Sequence, residues 1–222
     1  MTDQPPVVRT VRAPDLQSLG IDPARPLLLV DVDEVLGLFM EGFGRFLADQ
    51  GLEFRVDRFA LFQNIYRPGE DTHLAVEEGR RLFDTFFREA CSDMTPAPGG
   101  PEALRALSNK AGVVILTNAP DHGRLARARW LGRTGLDYPL VLNSGLKGPV
   151  AAELVAQVRA PAVFVDDLIP NLDSVMEHAP EVARFQMVAD PRLRPLAPSA
   201  PDRHRRIDDW TELRAAIEDV LA

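Results

Sequence analysis

Short apolar runs punctuate the chain at four places: Leu27-Leu28-Leu29-Val30, Val113-Val114-Ile115-Leu116, Ala162-Val163-Phe164-Val165 and Phe185-Gln186-Met187-Val188. Continuous rather than alternating apolar runs of this length are expected of parallel strands covered on both faces. A weaker stretch over 139–142 supplies a fifth candidate strand. Helical patterns over 101–109, 121–131, 150–159 and 171–178 lie between the runs. Strand and helix in alternation predict a doubly wound, parallel α/β sheet with its ligand chemistry at the carboxyl ends of the strands. At the end of the chain, Asp209 is followed by Glu212 and then by Leu213, Ile217, Val220 and Leu221 at helical spacing, which predicts a capped terminal helix.

One segment breaks the alternation. Between Leu36 and Asn109 no convincing strand is visible, but Leu36, Phe39, Met40, Phe43, Phe46 and Leu47 follow an amphipathic helical period, as do Leu82, Phe83, Phe86, Phe87 and Ala90. Nine of the eleven Phe residues lie here, enough bulk for a small helical subdomain to make a core, with one or two rings left to roof a site. The expected organisation is an extended arm over 1–26, which holds five prolines and one short helical turn near 15–19, an α/β core from 27–35 and 110–222, and a helical insertion over 36–109. The Pro- and Arg-rich stretch 192–206 is expected to be an exposed loop.

With 222 residues, 45% hydrophobic and 26% charged, the chain is sized for one folded core plus an insertion, which argues against disorder. A net charge of −8 has the wrong sign for a protein that holds nucleic acid by neutralising phosphates. No apolar run approaches the roughly 20 residues that span a bilayer, and no signal or transit pattern is visible, so neither a membrane nor nucleic acid is an expected partner. The single cysteine, Cys91, rules out an internal disulfide and fits a reducing compartment, so the expected location is cytoplasmic. Oligomeric state is not legible. Of the 25 cationic residues only Lys110 and Lys147 are lysines, which draws attention to where each falls.

Candidate chemistry sits at the strand ends. Asp31 and Asp33 follow the first apolar run, and side chains two apart on an extended chain face the same side. Asp166-Asp167 follows the third run, with Asn171 at a helix start; the pair either caps that helix or, together with Asp31, needs a cation to relieve its repulsion. Oxygen ligands without His or Cys favour Mg²⁺. Thr117-Asn118, after the second run, offers a hydroxyl and free backbone N–H groups at a helix start, suited either to capping or to cradling phosphate. Lys147 lies in a Gly-flanked loop, a compact charge useful against a carboxylate and a phosphate together.

In order and spacing these four elements resemble the haloacid dehalogenase superfamily of phosphohydrolases: Asp-x-Asp-x-Val at 31–35, the strand ending in Thr117, Lys147, and Asp166-Asp167. The resemblance implies a Rossmann-like core in which Asp31 attacks phosphorus to form an aspartyl-phosphate. Asp33 would protonate the leaving oxygen and later activate water. Thr117 and Asn118 would bind phosphate and Lys147 would offset the charge. Mg²⁺ would be held by Asp31, the Asp33 backbone carbonyl and the fourth motif, Asp167 directly and Asp166 behind it. The second aspartate, Asp33, points to phosphoester rather than dehalogenase chemistry. The long insertion after the first motif resembles a helical cap of the first type, which favours a small phosphorylated substrate.

Glu34 stands where the family often has Gly, and Val35 where it often has Thr. The segment from Asp33 into the aromatic helix is similar to the start of deoxyribonucleotidase-like members, which suggests a nucleoside monophosphate, with sugar phosphates and phosphoglycolate-like acids as the other substrate classes. A phosphomutase and a non-catalytic phosphometabolite-binding protein are the alternatives. His122 and Arg67 are further candidates for substrate contact, and surface roles are expected for His73, His178 and His204.

Overall fold

The computed structural model describes residues 13–222. Six strands form one parallel sheet: β1 (Leu27–Val30), β4 (Gly112–Asn118), β5 (Leu140–Asn143), β6 (Ala162–Asp166), β7 (Ala183–Gln186) and β8 (Arg205–Arg206), in the order β5-β4-β1-β6-β7-β8. β1 is central, paired with β4 on one side and β6 on the other, and all four of its residues are buried. Side-chain alternation splits it between two cores. Leu27 and Leu29 pack with α5 (Gly148–Val155) and α6 (Ile169–His178), whereas Leu28 and Val30 face α3 (Gly100–Ser108), α4 (Arg124–Arg133) and α7 (Trp210–Leu221). Asp209 caps α7 by accepting from the Thr211 and Glu212 N–H groups, and the Trp210 indole donates to the Val35 carbonyl at 2.9 Å, tying the last helix to the loop after β1. No helix of the described residues is long and apolar enough to cross a membrane.

The insertion between β1 and β4 contains α1 (Phe39–Asp49), a two-stranded antiparallel ribbon of β2 (Glu53–Phe54) and β3 (Ile65–Tyr66), and α2 (Val76–Glu89). Its Phe rings pack on one another: Phe39 and Phe43 lie 5.3 and 5.4 Å from Phe86, and Phe83 lies 4.7 Å from Phe87. The segment leaves and returns at a Gly37–Pro96 bridge. Gly37 is needed there, because a Cβ would come within 2.9 Å of the Trp130 ring.

Several expectations are corrected. The insertion is not strand-free, although its ribbon is only two residues deep and leaves no periodic signal. Helix α3, assigned to the insertion at 36–109, packs on α7 in the sheet's helical layer, so the lid ends near Pro96. Residues 1–12 of the expected arm lie outside the described residues. Its remainder is docked rather than extended away: Leu16 is buried, its N–H donates to Gln157 Oε1 at 2.7 Å, and the short turn Gln17–Leu19 follows.

The stretch 192–206 is no free loop. Its end adds β8 to the sheet, and its arginines hold backbone: Arg194 donates to the Val188, Ala189 and Asp208 carbonyls, and Arg206 to the Arg194 carbonyl and the Asp208 carboxylate. His204, expected at the surface, is buried against Asp173 at 2.8 Å.

Candidate active site

The carboxyl ends of β1, β4 and β6 converge, and they carry the sequence-selected residues to one place. Asp31 continues the β1–β6 ladder through its N–H to the Val165 carbonyl. Its Oδ1 accepts the Val32 N–H at 2.7 Å and lies 2.8 Å from Lys147 Nζ, which leaves Oδ2 without a partner among the described residues. Lys147 is fully buried and also lies 2.6 Å from Asp166 Oδ2. Burial alone would depress an ammonium, but Asp166 and Asp31 outweigh it and hold Lys147 above its ordinary value. The chain reaches this depth because the next residue is Gly148: a Cβ there would overlap the Ser174 carbonyl, so only glycine lets α5 start against α6.

Asp166 and Asp167, adjacent in sequence, have unlike surroundings. Asp166 is saturated: Oδ1 accepts from Leu168 N–H at 2.9 Å and Asn171 Nδ2 at 3.0 Å, and Oδ2 takes Lys147. Burial pushes it up to about 6, against the pull of Lys147. The Asp167 carboxylate has no hydrogen-bond partner among the described residues, and burial, Asp166, Asp31 and Glu34 hold it well above the usual carboxylate range. Ligand atoms of Asp31, Asp166 and Asp167 lie within 4.8 Å of one another. Three buried carboxylates against a single ammonium are short of positive charge, and an all-oxygen donor set fits a hard divalent cation.

That imbalance has a testable pH signature. Above the unfolded pKa of about 3.9, an Asp whose folded pKa is raised destabilises the fold increasingly until its folded pKa is passed. Asp167→Asn removes this penalty, so in chelator its gain in Tm over the parent protein is larger at pH 8 than at pH 4. If Asp167 holds a divalent cation, saturating metal at pH 8 favours the parent instead, because a carboxylate binds a hard cation more tightly than the neutral amide that replaces it. Thermal melts at the two pH values check this; an equal gain at both contradicts it.

Thr117 ends the buried part of β4, and its Oγ1 has no hydrogen-bond partner. Asn118 serves the neighbouring loop: its Nδ2 donates to the Gly145 carbonyl at 2.9 Å while its Oδ1 accepts Asn143 Nδ2 at 2.8 Å, bracing the segment that carries Lys147. Asp33 faces a residue the sequence reading missed. Arg127 is fully buried; its Nη2 sits 2.7 Å from Asp33 Oδ1 and 2.8 Å from Oδ2, and its Cζ lies 5.1 Å from the Phe87 ring centre. Burial raises Asp33 to about 6; Arg127 opposes the shift and Asp31 adds to it. Arg127 was findable, since it precedes Trp130 and Leu131 by three and four residues and so shares their buried face of α4.

Glu34 is the described non-glycine residue with positive φ, at 58°, a backbone conformation that favours glycine. It is 2% exposed; Oε1 accepts the Met40 N–H at 2.8 Å, Oε2 has no partner, and burial pushes it up to about 8. His122 is turned to the Asp84 carbonyl at 3.2 Å, and Arg67 pairs with Glu78, so neither lines the site. A cavity of about 250 Å³ opens over Asp31, Asp33, Lys147 and Asp167 and is roofed by lid residues. A more open hollow of about 400 Å³ adjoins it past Phe83 and Asn118.

A parallel doubly wound sheet with a helical lid and an Asp–Lys–Asp cluster at its strand ends defines an α/β protein of the haloacid dehalogenase fold. Solved structures bear out the fold. A magnesium-bound HAD-hydrolase of Bacillus subtilis superposes with a TM-score of 0.60 at 14% identity, covering 87% of this chain and 99% of that one. A subfamily IA HAD-superfamily hydrolase of Geobacter sulfurreducens gives 0.55 at 19% identity, covering 91% and 99%. A Thermotoga maritima protein described as a beta-phosphoglucomutase gives 0.55 at 16%, covering 88% and 99%. No protein-family model and no curated protein sequence matches the chain.

Proposed function

We propose that this protein is a magnesium-dependent phosphomonoester hydrolase that acts on a small phosphorylated metabolite, a nucleoside monophosphate being the leading candidate, through a phosphate carried on Asp31. The observation that carries the reading is the buried Lys147 bridge between Asp31 and Asp166, which fixes one Asp31 oxygen and leaves the other free to attack.

The unpartnered Thr117 hydroxyl supplies a donor for a phosphate oxygen, and Lys147 offsets charge on Asp31 and the transferring group. Asp33, raised to about 6, sits where one carboxyl can serve as acid and then base. In the first half-reaction Asp31 Oδ2 bonds to phosphorus, the ester oxygen departs, and the Asp33 proton goes to it. In the second, Asp33 takes a proton from water, whose oxygen bonds to phosphorus and releases phosphate and free Asp31. Mg²⁺, held by Asp31, Asp167 and the Asp33 backbone carbonyl, would neutralise charge on the phosphate oxygens. Asp166, its oxygens committed to Lys147, Leu168 and Asn171, stands behind as a support.

The test is release of 4-nitrophenolate from 4-nitrophenyl phosphate with Mg²⁺ and with chelator. The reading expects turnover only with the metal; equal or absent release in both overturns it.

A further inference from the structure

The cavity over Asp31 has two unlike halves. Its floor carries the charged strand-end groups, whereas its roof, Phe39, Met40, Phe59, Leu61 and Phe83, comes from the lid and is apolar. Lys147 is the one cation among its described lining residues, and it is already held by Asp31 and Asp166. The adjoining hollow likewise has no Lys or Arg among its described lining residues, and it has Asp121 on its wall.

No lid arginine is among the described lining residues of either hollow, and several are held elsewhere: Arg55 by Glu53 and over the Tyr66 ring, Arg58 by Asp57, Arg67 by Glu78, and Arg80 over the Phe62 ring. A second anion on the substrate would lose its water here without gaining a counter-charge, whereas an apolar ring meets Phe39, Phe59 and Phe83. Glu34 also lines the cavity, but it is 2% exposed, with Oε1 held by the Met40 N–H and Oε2 itself buried.

We infer that the site takes a phosphate monoester whose alcohol part is uncharged and ring-bearing, and that it rejects esters carrying a second anion. The inference rests on the hydrolase reading above and narrows it: a bisphosphate, as a phosphomutase cycle through a doubly phosphorylated sugar would require, finds no seat for its distal phosphate.

The test compares kcat/KM of the full chain with Mg²⁺ for benzyl phosphate, 2-phosphoglycolate and a hexose bisphosphate. Benzyl phosphate is expected to exceed both anionic esters by about tenfold or more, and Phe59→Ala to narrow the ring-over-phosphoglycolate ratio about fivefold. Phosphoglycolate or the bisphosphate turned over as well as benzyl phosphate overturns the inference and leaves the hydrolase reading standing. Calorimetry with benzylphosphonate and phosphonoacetate separates the other failure. Selective benzylphosphonate binding without turnover of any ester upholds the inference and overturns the hydrolase reading, and binding of neither overturns both.

Discussion

An Asp31→Asn protein is expected to lose metal-dependent hydrolysis of 4-nitrophenyl phosphate by on the order of 10⁴-fold or more. The substitution keeps the size of the side chain, and its carbonyl oxygen can still accept the Val32 N–H and the Lys147 ammonium where Asp31 Oδ1 now does. What it removes is the anionic Oδ2, which has no other partner among the described residues and is the atom assigned to attack phosphorus. Lys147 retains Asp166, so the fold keeps its buried counter-charge. Initial rates at saturating Mg²⁺, with a thermal melt as the folding control, check the prediction. A folded variant within tenfold of the parent rate means that another group attacks phosphorus.

The second large effect is expected at Asp33, and its form is more informative than its size. Nitrophenolate departs without being protonated, so an Asp33→Asn protein retains the first half-reaction with this substrate. Loss of the base that activates water slows the second half by on the order of 10²–10⁴. The amide carbonyl still meets Arg127 Nη2, which now bridges the two Asp33 oxygens at 2.7 and 2.8 Å. Stopped-flow absorbance is expected to show a burst of one nitrophenolate per chain and then slow turnover. A slow rate with no burst contradicts the assignment of Asp33 to the second half-reaction.

Much of this arrangement is legible in the sequence for a physical reason. Strands buried on both faces must be written as short apolar runs, and in a parallel sheet the residues that follow such runs share one edge. Asp31, Thr117 and Asp166 are therefore brought together by the same rule that names β1, β4 and β6. Lys147 is a loop residue, and its reach depends on Gly148, whose necessity shows only once α5 meets α6. What escaped the reading lacks such a rule. Arg205–Arg206 pairs on one side only, so β8 needs no apolar run, and the arginines of 192–206 look solvated until their backbone partners are seen.

Helix α3 looks alike whether counted with the lid or the core, because its period says that one face is buried without saying against what. The spacing of Arg127 to Trp130 and Leu131 marks it as buried, but in an Arg-rich helix of weak amphipathicity only the carboxylate it meets shows what the guanidinium is for. The lid's interior was visible as nine clustered Phe residues, whereas the few of them that roof the cavity rather than fill the core could be told apart only by position.

The most direct measurement of the central claim is the site of covalent phosphate. Asp33→Asn protein, mixed with 4-nitrophenyl phosphate and Mg²⁺ and quenched in acid within the burst, is digested and its peptides are analysed by mass spectrometry. The account predicts one phosphoryl group per chain on Asp31, absent when Mg²⁺ is chelated and absent in the Asp31→Asn, Asp33→Asn double variant. A burst of nitrophenolate with no phosphorylated peptide, or with the phosphoryl group on any other residue, contradicts it.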